Sequence, residues 1–124
     1  MNVFLWIVAS LLAVAFLGAG LMKVLQPKEK LASSGMGWTE SFSAGAVKLI
    51  GALEVLAAIG LILPAALDIA PVLVPLAALG LVLIMIGAMV THARRHESQP
   101  IVINTVLLVL AAVVVWGRFG PYSF

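Results

Sequence analysis

The sequence predicts an all-α integral membrane protein, a four-helix bundle, and three observations support this prediction. Of the 124 residues, 64% are hydrophobic and 10% are charged, and the mean hydropathy is +1.23. A soluble chain of this length has too little interior to bury so much apolar surface. The apolar residues form four continuous runs, each long enough to cross a bilayer as a helix. An outer-membrane barrel would instead show short segments of alternating apolar and polar residues.

The first predicted span covers about residues 3–25 and carries no charge before Lys23. It is too long for the apolar core of a signal peptide and no basic region precedes it, so we interpret it as a retained span. Pro27 ends this helix and opens the longest polar segment. That segment has room for a short interfacial helix, and its Trp38 and Phe42 suit the headgroup level of the membrane.

The remaining spans are predicted at about residues 44–63, 71–91 and 100–117, within one transmembrane domain covering residues 1–124. Pro64 is expected to end the second span, and Pro71 suits the first turn of the third. Small residues follow one face of the third span and favour close helix packing there. These residues are Gly80, Gly87 and Thr91.

Four spans place both chain termini on one side of the membrane and the two charged loops on the other. The loop side collects six of the seven Lys and Arg residues: Lys23, Lys28, Lys30, Lys48, Arg94 and Arg95. Arg118 alone lies on the side of the termini. The positive-inside rule therefore predicts cytoplasmic charged loops, with both termini outside.

Glu54 is an acid near the middle of the second span. If that helix begins near Ala44, Glu54 lies roughly 14 Å deep, close to the midplane of a hydrocarbon layer of about 30 Å. At that depth a carboxyl must be protonated, paired, or beside a wet cavity. Gly51 and Ala58 lie one turn to either side, a pattern typical of close helix packing. We therefore expect Glu54 to face neighbouring helices. The alternative is a protonated acid that donates one structural hydrogen bond across helices.

A polar pocket is predicted around Glu54, with Lys23, Lys48 and His92 at its rim and Asn104 one turn into the fourth span. On an ideal helix Lys48 and Glu54 point about 120° apart, so Lys48 is a poor partner for the acid. Lys23 is a better candidate, although we expect a depth gap of around 10 Å between them. Asn104 is therefore expected to be the nearer neighbour. The alternatives are that the two lysines extend to the interface and that Asn104 only bridges helices.

Several functional classes find no support in the sequence. The absence of cysteine excludes disulfides, thiol nucleophiles and thiolate metal sites. His92 and His96 share one loop, whereas a membrane haem needs histidines on facing helices, so no metal site is predicted. Nucleic-acid binding lacks a basic domain. The chain has no catalytic motif, so we do not expect it to be an enzyme on its own; any such role would use a cofactor or a partner.

Two segments make the sequence similar to the DoxX-like family of small four-helix membrane proteins. They are GAGLMKVL at residues 18–25 and KLIGALEVLAAIGLIL at residues 48–63. Val24 stands where the family pattern usually has leucine. The resemblance implies that Lys23, Lys48 and Glu54 occupy the family's polar positions. It also implies links to membrane redox complexes, since founding members resemble subunits of a thiosulfate:quinone oxidoreductase or a quinol oxidase. Eukaryotic relatives resemble assembly factors for receptors.

These observations favour a non-catalytic accessory or assembly subunit in the bacterial cytoplasmic membrane. Its pocket would hold a lipid, a quinone or a segment of a membrane-protein partner, and no oligomeric state is predicted. An alternative is a quinone-reactive subunit of an oxidoreductase, in which Glu54 relays a proton. A proton-coupled small-molecule transporter is less favoured, because small exporters of similar length carry their essential acid in the first span, and this first span has none.

Overall fold

The computed structural model describes residues 1–33, residue 39 and residues 42–124; Trp38 lies outside them. The described residues form five helices and no strand. The helices are α1 (Asn2–Leu25), α2 (Lys28–Ser33), α3 (Ala44–Ala66), α4 (Leu73–Arg94) and α5 (Ser98–Phe119). Four of them are long and apolar enough to cross a membrane: α1, α3, α4 and the Pro100–Phe119 part of α5. The predicted all-α membrane bundle is confirmed.

Several helix boundaries differ from the expected ones by two or three residues. Helix α3 continues through Pro64 to Ala66 instead of ending at the proline. Proline is tolerated there because it removes only one backbone donor, and membrane helices accept such a loss near their ends. The carbonyl oxygen of Pro64 accepts a hydrogen bond from the Ile69 N–H at 2.9 Å, which closes the helix. Helix α4 begins at Leu73 rather than at Pro71, whose carbonyl instead accepts from the Val74 N–H at 3.0 Å.

Short connections make consecutive long helices antiparallel neighbours. Residues 67–72 join α3 to α4, and this turn holds Asp68 and Ala70 at φ of 53° and 48°. Residues 95–97 join α4 to α5, with His96 at φ of 57°. These left-handed conformations are unfavourable for residues with a Cβ, so each turn is held by the helices it joins.

The long helices form a ring in which α1 packs mainly on α3 and α4 mainly on α5. Contacts between α3 and α4 and between α1 and α5 close the ring. The packed core lies in the half of the bundle that faces the chain termini, and many leucine and valine side chains on the outer faces are exposed to the bilayer. Its buried members are Val8, Leu12, Phe16, Ala58, Leu61, Val74, Ala78, Leu81, Met85, Ala111 and Val114.

The backbones of α1 and α3 come close together where they cross at Gly20 and Gly51. A Cβ on Gly20 would lie 2.6 Å from the Gly51 carbonyl oxygen, and a Cβ on Gly51 would lie 2.7 Å from the Gly20 carbonyl oxygen. Backbones can come this close only without a side chain between them. Gly80 and Gly87, the expected packing stripe of α4, face open space instead. The close-packing prediction for that stripe is therefore wrong within this chain.

Candidate functional site

An ion pair between Lys23 and Glu54 joins α1 to α3. Lys23 Nζ donates to Glu54 Oε1 at 2.5 Å, and the two side chains are 8% and 2% exposed. Lys23 follows Gly20 by one turn of α1, and Glu54 follows Gly51 by one turn of α3. A Cβ on Gly51 would lie 2.6 Å from the Lys23 Cβ. The glycine crossing therefore sets the separation at which the lysine and the carboxyl meet.

The expected depth gap of around 10 Å between Lys23 and Glu54 is wrong. That estimate measured the depth of each residue from the start or end of its own span. In the structure the end of α1 lies beside the second turn of α3. The hydrogen bond from Lys48 Nζ to the Val24 carbonyl oxygen, at 2.8 Å, shows this position. The end of α1 is therefore deeper in the bundle than its sequence limits suggest, and no bridging group is needed for the pair to form.

Lys48 does not join the predicted pocket. Its side chain is exposed, and its ammonium satisfies a carbonyl at the C-terminal end of α1. A cation at this position is favourable because the carbonyl end of a helix carries partial negative charge. Lys48 therefore stabilises the α1–α3 pair from outside the cavity.

The other four predicted site residues line one cavity of about 670 Å³ among the four long helices, towards the charged-loop end. These residues are Lys23, Glu54, His92 and Asn104. Most of the remaining wall is apolar or small and includes Ala15, Phe16, Ala19, Ile50, Ile84, Met85, Ala88, Ile103 and Leu107. Phe42, Gly87, Thr91 and Arg94 also contribute. Sequence patterns did not identify the apolar members, because lipid-facing positions use the same residue types.

Asn104 lies on α5 and is 9% exposed. The expectation that it is the neighbour of Glu54 is wrong, because Glu54 is paired with Lys23. Helix α5 is diagonally opposite α3 in the ring, so the cavity separates the two side chains. Among the described residues, Asn104 Nδ2 has no hydrogen-bond partner. The amide is a buried donor in the cavity wall.

The family-model comparison gives one match, to the DoxX-like family, over residues 7–114. The chain belongs to the DoxX-like family. Comparisons with curated proteins and with solved structures give no significant match. The matched range contains the Lys23–Glu54 pair, His92 and Asn104, so the whole polar part of the cavity lies within the family region.

At the loop end of this DoxX-like bundle, His92 and Glu97 connect α4 to the start of α5. His92 Nδ1 lies 2.8 Å from Glu97 Oε1, and Arg95 Nε lies 3.4 Å from the same oxygen. The hydrogen bond with His92, followed by the charge of Arg95, holds the pKa of the Glu97 carboxyl below its usual value. Sequence reasoning identified His92 but missed Glu97, although the two lie five residues apart across a tight turn. Glu97 fixes His92 at the mouth of the cavity.

Accessible residues of α1 and α5 contribute to the wall of the DoxX-like cavity. Near the termini these helices touch, since a Cβ on Gly117 would lie 2.6 Å from the Leu5 Cδ1. Towards the loop end Ala15 of α1 and Ile103 of α5 are both exposed and both line the cavity. The cavity wall at this end therefore includes accessible residues of both helices.

Proposed function

We propose that this DoxX-like protein is a non-catalytic accessory or assembly subunit of a membrane complex, built as a single transmembrane domain. In this proposal the cavity holds an amphiphilic molecule taken from the bilayer. The observation that carries the proposal is the ion pair of Lys23 and Glu54 in the wall of a mainly apolar cavity of about 670 Å³. Small-molecule sites typically have volumes of about 300–1,000 Å³, apolar walls and a few polar groups.

The position of the ion pair supports a binding role. A buried ion pair adds little stability compared with apolar residues of similar size, because both charges must lose their hydration. Lys23 and Glu54 lie outside the packed core and beside the cavity. Their polar atoms are therefore placed where a bound head group can reach them while its chain remains among apolar side chains.

The distribution of charge supports a location in the bacterial cytoplasmic membrane. Six of the seven Lys and Arg residues lie at or near the loop side of the bundle, which favours cytoplasmic loops and external termini. A membrane-protein partner would pack against the apolar outer faces of the helices. This topology is testable by fusing a reporter that is active only in the cytoplasm to the loop at residues 95–97.

A second candidate function is a quinone-reactive subunit of a membrane oxidoreductase. The specific observation in its favour is that the hydrogen-bonded Lys23–Glu54 pair shares the cavity wall with Phe16 and Met85. A quinone ring packs well on aromatic and thioether groups, and a carboxyl beside it can carry a proton. Bleaching of a bound quinone spectrum by a membrane reductant would favour this candidate over simple ligand holding.

The proposed function is tested by purifying the protein in mild detergent and identifying copurified lipids, quinones and proteins by mass spectrometry. We expect the wild type to retain a specific amphiphile, and both Glu54→Gln and the more stable double variant Lys23→Met/Glu54→Gln to lose most of it. Asp68→Asn is the matched control, because Asp68 is an exposed acid in the α3–α4 turn, at the opposite end of the bundle. Equal retention by wild type and Glu54→Gln, or loss in Asp68→Asn as well, contradicts the proposal.

A further inference from the structure

Asn104 is a polar side chain whose amide donor finds no acceptor in the described fold. It lies in a helix of mainly apolar residues, it is nine-tenths buried, and it lines the cavity. Its Nδ2 has no hydrogen-bond partner within the described part of the chain. A buried amide donor without a partner lowers stability, and native structures usually satisfy such groups with a ligand, a water or another side chain.

The charges around the cavity indicate what kind of molecule would accept this hydrogen bond. Lys23 and Glu54 neutralise each other at 2.5 Å, so the deep part of the cavity carries no net charge from the pair. Arg94 also lines the cavity, but it is the exposed last residue of α4 at the loop end. Beside the Lys23–Glu54 pair, a charged head group would lose its hydration while the pair offers no net opposite charge to compensate. Moving an uncharged oxygen acceptor, such as a carbonyl, out of water costs much less free energy. Such an oxygen can accept a hydrogen bond from an amide N–H.

We propose that the cavity binds a neutral amphiphile whose carbonyl oxygen accepts a hydrogen bond from Asn104 Nδ2. This inference rests on the proposed function and specifies the chemical class of the ligand. The neighbouring wall fits such a ligand, because Ile103 and Leu107 flank Asn104 on α5 and also line the cavity. A carbonyl at Asn104 therefore places the apolar part of the ligand against these side chains.

Two sources supply such a carbonyl within a membrane: a quinone ring and the ester group of a glycerolipid. The probes are decylubiquinone for the first source and dioctanoylglycerol for the second. Decylbenzene has no acceptor and decanoate is charged, so these two compounds serve as references. Binding is measured by titration calorimetry on lipid-depleted full-length protein in a maltoside detergent, which contains no carbonyl group.

We expect at least one carbonyl probe to bind the wild type more tightly than either reference compound, and the stronger probe identifies the source. Asn104→Leu should weaken that binding by about three- to tenfold, the range for one neutral hydrogen bond. Thr105→Val is the matched control, because Thr105 is the exposed neighbour on α5 and its hydroxyl bonds the Ile101 carbonyl oxygen in its own helix. It should bind the probe as the wild type does.

The thermal stability of the unliganded variants separates this inference from a structural role. Asn104→Leu and Asn104→Ala are measured together, so that a packing clash in one does not decide the result. If the donor is unpaired without ligand, at least one of them melts at or above the wild-type temperature. If Asn104 bridges helices, both melt lower, and the inference is overturned.

Other outcomes also overturn it. The inference is wrong if the Asn104 variants bind the carbonyl probes as the wild type does, or if decylbenzene or decanoate binds as tightly as they do. It is equally wrong if the wild type binds none of the probes. In that case the copurified amphiphile, if present in the wild type and lost in Glu54→Gln, still supports the proposed function. The two proposals therefore fail on different observations.

Discussion

Removing one member of the Lys23–Glu54 pair is expected to destabilise the protein far more than removing both. The variants are Lys23→Met, Glu54→Gln and the double substitution. The pair is almost fully shielded, with exposures of 8% and 2%, and its atoms are 2.5 Å apart. Each single substitution therefore removes one charge of the ion pair and keeps the other buried, whereas the double substitution leaves two neutral side chains of similar size.

Breaking a buried ion pair by removing one partner typically costs about 3–5 kcal/mol, because a charge is left in the protein interior without its counter-charge. Lys23 and Glu54 line the cavity instead of lying in the packed core, so each single substitution should cost about 3 kcal/mol, at the low end of that range. The double variant should lose about 1 kcal/mol or less.

The assay is reversible unfolding in mixed micelles, followed by helical circular dichroism as the fraction of denaturing detergent rises. The double-mutant cycle should give a coupling free energy of about 5 kcal/mol, which includes the cost of the uncompensated charge. Lys48→Met is the matched control, because within the described part of the chain this exposed lysine donates to a backbone carbonyl and not to an acid, and it should cost about 1 kcal/mol or less. Additive single effects, or a loss below 1 kcal/mol for Lys23→Met, would refute the reasoning.

Three further predictions concern packing, pH and the C-terminal tail. Gly51→Ala should lower the free energy of unfolding by about 1–3 kcal/mol in thermal unfolding, because the new methyl would lie 2.6 Å from the Lys23 Cβ. Gly18 faces open space, so Gly18→Ala is the control and should be neutral or slightly stabilising. The lowered pKa of Glu97 stabilises the fold above the unfolded value of about 4.3, and this contribution is lost as the pH falls through the lower folded pKa. Glu97→Gln should therefore flatten the stability profile below about pH 5 in the same assay, and an unchanged profile would contradict the assignment. Arg118 donates to Asn2 Oδ1 at 2.6 Å and to the Tyr122 carbonyl oxygen in the C-terminal tail at 2.9 Å. Arg118→Met should therefore speed the exchange of backbone amide hydrogens after residue 119. Unchanged exchange would show that other contacts hold the tail.

The sequence predicts the fold class well because the bilayer imposes a simple rule on it. A span must be apolar for about 20 residues and must satisfy its backbone hydrogen bonds internally, so continuous apolar runs indicate helices directly. The boundaries at Pro64 and Pro71 are less predictable. A proline limits a helix only through one missing donor and one ring contact, and the local turn decides whether the helix stops before or after it.

The candidate site is predictable only in part, for a geometric reason. The inward direction of Glu54 follows from its neighbours on one helix, and the poor alignment of Lys48 follows from an angle within the same helix. The partnership with Lys23 depends on how two helices cross, which the sequence expresses only as Gly20 and Gly51. The sequence does not indicate which residue each glycine contacts, because that depends on how the helices pack. The position of Asn104 across the cavity is set by the order of helices around the ring, which is also a tertiary property.

The cavity follows from the distribution of close contacts along the bundle. The apolar core holds all four long helices together near the termini. Towards the loop end, Gly20 and Gly51 hold α1 to α3, while the short turn with Glu97 holds α4 to α5. Close contacts at that end therefore join helices within each pair, and the cavity lies among the four helices. The Lys23–Glu54 pair joins the two helices of one such pair. The proposed neutral ligand would therefore leave the ion pair intact, whereas a charged ligand would compete with it and lose its own hydration.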